Sequence, residues 1–430
     1  MIPPETPAQE PPSPATGSPE SVWRAAEAAV AAGDAAALGR LLAEHGPFLR
    51  RRLRHSAWCG GQAPDFSATD AGAIVARGHH FRCFEELERH RVEVGQGGSP
   101  AAAFEAAVDA VVAGDLAALE DSLRRSPALV DARSSRTHRA TLLHYIGANG
   151  VESWRQRTAA NAVAIAGALL RAGAEVDALA DLYGGATTLG LVATSLHPVR
   201  IGVQDDLLNL LLGHGAAVEP PRAAGGGRSI VNDCLATGRP GAAELLAARG
   251  ARLDLEGAAG VGRLEAVRGF FAADSGLQGG ATPDQMKSGF QWACQYGRTE
   301  VVGFLLGRGA RADEMHRGQT GLHWAAYGGH AEIVRRLLAA GPAVDLPDER
   351  FGNTPLGWAL YGRASPPLEV GGGRPLEVVA LLVGAGAAVA GERVPAELLA
   401  ADPRLAAALH GGLPEGSAHP SVRWTPAADV

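Results

Sequence analysis

Gly318-Gln-Thr-Gly-Leu322-His323-Trp324-Ala325-Ala326-Tyr327-Gly-Gly-His330-Ala-Glu332-Ile333-Val334-Arg-Arg-Leu337-Leu338-Ala-Ala-Gly341-Pro-Ala-Val344-Asp345 is the stretch from which the fold can be read. Ile333, Val334, Leu337 and Leu338 stand at i, i+1, i+4 and i+5, which makes one apolar stripe on a helix. Glu332 falls in the first turn, where the helix dipole favours negative charge. Gly341 follows the last turn, where a left-handed residue ends a helix. Ala325 and Ala326 let a shorter preceding helix approach its neighbour closely. Such a helix pair cannot bury its stripe alone, so units of this kind must stack.

The rest of the chain supplies the partners. Trp292, Ala293, Glu300, Val301, Val302, Leu305, Leu306, Gly309 and Asp313 repeat the pattern before it, and Thr354, Leu356, Trp358, Ala359, Tyr361 and Gly362 repeat its first half after it. The second half of that later unit, Glu377 to Val389, is displaced by an insertion rich in Pro and Gly between Gly362 and Pro375. Insertions of this size cost little, because closure entropy grows only as the logarithm of loop length. The closing signature Gly-Ala-x-[Val/Leu]-Asp recurs at Gly173–Asp177 and Gly250–Asp254, and Leu255 to Phe271 reads as a compressed unit.

These residues carry a resemblance. The pattern Thr-x-Leu-His-x-Ala-Ala, a Gly-His turn, an aliphatic helix and a closing Gly is similar to the ankyrin repeat family. Thr320, Leu322, His323, Ala325, Ala326, Gly329, His330 and Gly341 hold it best; Thr141, Leu143 and His144 hold a second copy, and Thr354, Pro355 and Leu356 a third. Gly357 stands where the motif has His, which leaves that last turn less firmly tied. The resemblance implies an all-α solenoid of stacked helix–turn–helix units from about Ala102 to Val389, and the insertions suggest a bacterial subgroup. It implies no activity of its own.

Composition narrows the class further. The chain has 430 residues, 46% hydrophobic and 20% charged, enough for a packed core without disulfides. A net charge of -7 argues against a whole-protein field for nucleic acid or anionic membranes. Lys287 is the only lysine, which together with the Ala and Gly excess reads as GC-rich bacterial coding bias. The start lacks the basic and apolar segments of a signal peptide, and no apolar run approaches membrane-spanning length, so a cytoplasmic monomer is expected.

The expected organisation is a Pro-rich leader over 1–20, an N-terminal helical region over 21–100, the array with its insertions and C-terminal cap over 101–410, and a flexible tail over 411–430. Ser21–Ala32 and Ala35–Ala43 read as a helix pair broken at Gly33-Asp34. Ile74 to His90 resembles a helix–turn–helix leader with Phe81, Phe84 and Leu87 as its core. Val394 to Leu409 reads as a closing helix pair.

The polar clusters offer little chemistry. His79, His80, Cys83, His90 and Cys59 hold zinc-type donors but lack the paired spacing of a zinc site, so no metal is expected. Cys83 has no orienting acid or oxyanion hole beside it in the sequence. His144 and His323 fit loop-bonding roles between repeats better than catalysis. Gly225-Gly-Gly and Gly371-Gly-Gly lack the Lys and helix of a phosphate loop. No catalytic residue and no cofactor are therefore expected. Trp292, Trp324 and Trp358 recur one per repeat, as a packed ladder or as an exposed aromatic strip.

What remains is a protein-interaction scaffold, with Tyr183, His316, Arg317, Arg350 and Phe351 at loop tips and Tyr327 and Tyr361 on the groove side as contact residues. The alternative is nucleic-acid binding through Arg50-Arg-Arg-Leu-Arg-His55, the one dense basic cluster.

Overall fold

The computed structural model describes residues 19–53, 71–219, 228–273, 276–369, 373–389, 399 and 401–412. Every regular element among these residues is helical, and only isolated bridges, Ala180 with Ala186, Phe271 with Leu277 and His316 with Gln319, interrupt the pattern. The expectation of an all-α repeat architecture without a sheet holds. The chain divides into two compact units, Met1–Gly227 and Arg228–Val430.

The first unit begins with α1 (Pro19–Ala32), α2 (Ala35–Leu53), α3 (Ala71–Gly78) and α4 (Phe84–Gly95). Gly33 separates α1 from α2 with a φ of 65°, a left-handed conformation that suits glycine. Val22, Trp23, Val30, Leu38, Leu42, Ile74, Phe81 and Leu87 form the core of these helices, with Phe84 packed at its edge. Next come α5 (Pro100–Ala113), α6 (Leu116–Arg125), α7 (Ala162–Arg171), α8 (Thr188–Thr194), α9 (His197–Arg200) and α10 (Gln204–Gly213). Leu142–Gly147, which carries the Leu-His motif, is a 3₁₀ helix.

In the second unit the helices come in antiparallel-pair order: α11 (Ile230–Ala236), α12 (Pro240–Ala248), α13 (Leu255–Gly260), α14 (Leu264–Arg268), α15 (Pro283–Gln295), α16 (Thr299–Gly307), α17 (Gly321–Tyr327), α18 (Ala331–Ala339), α19 (Pro355–Ala364), α20 (Pro375–Gly384) and α21 (Pro403–Ala408). First helices α11, α13, α15, α17 and α19 pack in succession, and second helices α14, α16, α18 and α20 do likewise. Their shared core runs from Leu255 to Leu409. Small residues set the spacing. A Cβ at Gly362 would lie 2.2 Å from the Tyr327 carbonyl oxygen, so only glycine lets α19 sit this close to α17.

Polar ties lock neighbouring repeats, and three of them share one position. After the caps Thr141, Ser229 and Thr320 the third residue reaches into the loop of the next unit. His144 follows cap Thr141, and its Nε2 donates to the Ala178 carbonyl at 2.9 Å. Asn232 follows Ser229, and its amide donates to Asp254 at 2.8 Å and Glu256 at 3.0 Å. Gln291, in the second half of α15, makes an equivalent tie by donating to the His316 and Gln319 carbonyls. His323 follows Thr320: its Nδ1 accepts from the Thr320 backbone N–H at 3.1 Å and its Nε2 donates to Asn353 O at 3.2 Å. Both histidines have the loop-bonding role that the sequence suggested.

Packing also decides which leucine matters. Leu337 is fully buried, whereas Leu338 is only half-buried at the core's edge. Leu337→Ala is expected to cost about 2–5 kcal/mol in denaturant melts, and Leu338→Ala less. Because repeats contact only their neighbours, hydrogen exchange in the Leu337 variant should rise in α16 to α20 and leave α1 to α4 protected.

A second expectation concerns acid. Burial lowers the His144 pKa from 6.5 to about 4, and burial likewise lowers that of His323, so both rings stay neutral when folded. The unfolded chain takes up these protons first. The His144 contribution is therefore whole above pH 6.5 and declines as pH falls toward 4, by up to about 1.4 kcal/mol per pH unit, and His323 adds a loss of the same sign below 6.5. Thermal melts across that window should show the decline, with a shallower slope in His144→Asn, whose baseline stability is lower.

Candidate partner-binding surface

The repeat beginning at Thr354 breaks the tie just described, because Gly357 occupies the third position after the cap. The loop ahead of it is held by Asp348 instead. This carboxylate, 2% exposed, accepts from the backbone N–H groups of Arg350 at 2.9 Å, Phe351 at 2.7 Å and Asn353 at 3.0 Å, and from Trp358 Nε1 at 3.0 Å. Burial alone would raise the Asp348 pKa, but Trp358 and the backbone donors hold it below the usual carboxylate value. The turn that sequence reading left loosely tied is thus fixed through a residue that reading passed over. Its signal was the Asp348-Glu-Arg-Phe-Gly-Asn353 stretch, where a short acid can satisfy a tight turn.

Asp348 positions more than a loop. By gripping the indole N–H it sets the Trp358 ring, which meets Trp324 edge-on with centroids 5.0 Å apart. Tyr327 lies edge-on to Trp358 at 6.0 Å and stacks on Tyr361 at 6.0 Å with 18° between the planes. All four rings are half-buried, while Leu322, Ala325, Ala326, Leu356 and Ala359 on the same helices are buried. Trp292, by contrast, is buried, with Arg228 over its ring. The aromatic series is therefore interior at its first member and partly exposed at Trp324 and Trp358. Tyr327 and Tyr361 belong to this strip as one stacked pair.

The loop-tip residues divide. His316 and Gln319 close a hairpin whose tip is Arg317, a non-glycine residue with φ of 54° and an exposed side chain near Asp284. His316 is 9% exposed, and its Nε2 shares a hydrogen bond of 2.9 Å with the Ser288 hydroxyl, so it braces the hairpin. Arg350 lies over the Phe351 ring at 5.0 Å, and Phe351 is 49% exposed. In the first unit Tyr183 takes the corresponding tip, with φ of 51° and 75% exposure, its hydroxyl donating to Asn149 Oδ1 at 3.0 Å. Left-handed backbone at an arginine and a tyrosine is strained, and the bonded hairpins hold it.

Sequence reading also missed a buried ionic cluster in the first unit. Arg136 and Arg155 both meet Glu105, Arg155 also meets Asp109, and Arg136 Nε lies 2.9 Å from Glu152. Glu152 further accepts from the Tyr145 hydroxyl at 3.0 Å. Burial opposes ionisation of Glu152, yet its partner His138 and the arginines bring its pKa down to about 2. These charges neutralise one another and serve to pin α5 to the loops around it. His79 and His90, weighed as metal donors, are engaged with the Val30 carbonyl and the Ser135 hydroxyl. Among the described residues no three His, Cys, Asp or Glu side chains are placed to hold a metal. Cys59, Arg54, His55 and Gly225–Gly227 lie outside the described residues, as do Gly371 and Gly372 and most of the expected closing helix pair; Arg50 to Leu53 end α2. No described helix is long and apolar enough to cross a membrane.

Comparison with known proteins agrees with the repeat geometry. Residues 290–389 match the family model for ankyrin repeats in three copies. No curated relative matches the sequence. The solved human ASB11 ankyrin repeat domain is 20% identical over 66% of this chain and 98% of its own, with a TM-score of 0.34. Over residues 290–389, where α15 to α20 stack, the chain is similar to three successive ankyrin repeats.

Proposed function

We propose that this chain is a non-catalytic protein-interaction scaffold, and that the strip formed by Trp324, Tyr327, Trp358 and Tyr361 is its contact face in the second unit. One observation carries the reading: four large rings stay half-exposed side by side on two helices whose Leu322, Ala325, Ala326, Leu356 and Ala359 are buried. Ankyrin repeats are in general protein–protein interaction modules. Tyr and Trp suit that use because each offers a large amphipathic area at little cost in rotamer freedom. Arg317, Arg350 and Phe351 stand at tips near the same repeats and supply the residue types that dominate binding energies, with His316 as their brace. Tyr183 offers a separate contact in the first unit.

Nucleic-acid binding through Arg50–His55 is the competing reading, and the net charge of -7 weighs against it. A mobility-shift assay at low salt should show no complex. A shift that weakens steeply as salt rises would replace the scaffold reading with the nucleic-acid one.

Affinity capture from the native host, followed by mass spectrometry, supplies the partner for the main test. Tyr327→Ala with Tyr361→Ala should then weaken binding at least about tenfold, or roughly 1.4 kcal/mol. Phe351→Ala should weaken it while leaving the thermal melt nearly unchanged, since loop tips bury little. Undiminished affinity in the double tyrosine variant would remove the strip from the interface.

A further inference from the structure

Helices α1 to α4 form a body with a core of its own. That core runs from Val22 to Leu87, and among the described residues no member of a later helix belongs to it. The link to α5 is Gly95-Gln96-Gly97-Gly98, exposed throughout. A Cβ at Gly95, Gly97 or Gly98 would meet nothing within 4 Å, so packing does not call for glycine there, whereas a hinge does. Ser99, which caps α5, steadies the link by donating to the Glu93 carbonyl at 2.5 Å.

A seam of histidines holds this body to the first repeat. Across the seam stands the loop Ser134–Ala140, closed by the Ser134 N–H on the Ala140 carbonyl at 2.8 Å. Thr137 donates to the His80 carbonyl through its N–H at 2.7 Å and its hydroxyl at 3.0 Å. The His80 ring meets His138 edge-on at 5.2 Å, and His79 meets Trp154 at 4.8 Å. His90, on α4, shares a hydrogen bond of 2.9 Å with the Ser135 hydroxyl, and Arg136 lies over the Phe81 ring at 5.6 Å. Where α4 packs on α5, His90 Nε2 is 3.6 Å from Glu105. His80 has a φ of 61°, strained for a residue with a side chain, and the two Thr137 bonds hold it there.

We propose that α1 to α4 are a cover docked on the start of the array through this histidine seam, and that mild acid releases it about the Gly97-Gly98 link with both bodies still folded. The groups around the seam set the direction. His80 faces His138, Glu152 and Arg136 across the seam and His79 beside it; burial first, then His138, lower its pKa from 6.5 to about 4. His90 faces Arg136, Glu105 and Arg155 across the seam and Glu93 on its own helix, and burial and Arg136 lower its pKa. His79 faces Arg136 and Glu152 across the seam and Arg91 on α4, and burial lowers its pKa too. The acids keep their charge: Glu152 has a pKa of about 2, and Arg136 and Arg155 hold Glu105 below its ordinary value despite its burial. Release returns His80 to water and to its ordinary pKa, so the released form takes up the proton first. Docking is therefore whole above pH 6.5 and weakens as pH falls toward 4, by roughly twentyfold between pH 7 and pH 5 from His80 alone. The inference concerns the first unit and stands independently of the aromatic strip.

Hydrogen exchange on the full chain at pH 7 and pH 5, corrected for intrinsic rates, tests it. Protection of the Thr137 N–H, which crosses the seam, should fall at least about tenfold. Amides of Val30 in α1 and Leu42 in α2 should change by less than about threefold, since the cover stays folded. His80→Asn with His90→Gln replaces two titrating rings by neutral amides, and Asn tolerates the left-handed backbone at position 80. This double variant should lose most of the fall at Thr137. Unchanged protection at Thr137 in the parent chain, or a fall that the double variant shares in full, overturns the proposal. So does a matching fall at Val30 and Leu42, because acid would then be unfolding the cover and not releasing it. If the double variant does not melt like the parent at pH 7, His80→Asn alone is compared, and a fall of undiminished size in it is the overturning result.

Discussion

A helix of nine residues such as α18 has one apolar stripe and no means of covering it within its own unit. Ile333, Val334 and Leu337 are buried where α18 meets its own partner α17 and the neighbouring α16 and α20. Every other feature of the second unit answers to that requirement. Short first helices must come close, which calls for Ala325, Ala326, Ala359 and Gly362 where bulk would hold them apart. Each pair must also end sharply enough to start the next, which places glycine at the turns. The stripe thus dictates which residues may be large, and where.

Hydrophobic stacking alone is not directional, and a stack of slippery helices would have many registers. The polar ties from a first helix to the next loop remove that freedom. His144, Asn232, Gln291 and His323 are different side chains that act alike, each placing a donor that crosses to the next loop and finds an acceptor there. Misregistration by one residue would bury those donors unpaired, at a cost of about 1–3 kcal/mol each. The repeat at Thr354 shows that a fixed loop is required, whichever residue fixes it. Gly357 cannot reach across, so Asp348 fixes the loop from within and takes the Trp358 indole as one of its donors.

This explains which features were legible in the sequence. Periods near 3.6, caps such as Thr320 and terminators such as Gly341 depend on neighbours within a few residues, and they can be read locally. The tie at His323 was also legible, because a short motif brings cap and imidazole together. Asp348 was missed because its partners are backbone N–H groups, which no motif displays. The ionic cluster of Glu105, Arg136, Glu152 and Arg155 was missed for another reason: its members are scattered along the first unit and meet only after folding. The half-exposure of Trp324 and Trp358, against the burial of Trp292, depends on what packs over each ring, and identical spacing could not separate them. His316 shows the limit of equating a loop tip with exposure, since a hairpin must use some of its residues to hold itself together.

The same logic distributes stability and recognition over different positions of one repeat. Residues facing the stack are constrained by both neighbours, so they can vary only in volume-conserving ways. The outward positions of the first helices and the tips of the loops carry no such constraint, and there large aromatic and charged side chains stand: Trp324 and Trp358, Tyr327 and Tyr361, Arg317 and Phe351. The insertion is the same freedom taken further. Placed between two helices of a repeat, it leaves the stripe of α20 in register, because Arg374 is bonded to the neighbouring Gly329 turn before α20 begins. Before that anchor, Glu369 meets Arg239 at the start of α12, a contact made outside the helix pairs. A solenoid acquires new contacts in this way without disturbing the stack that supports them.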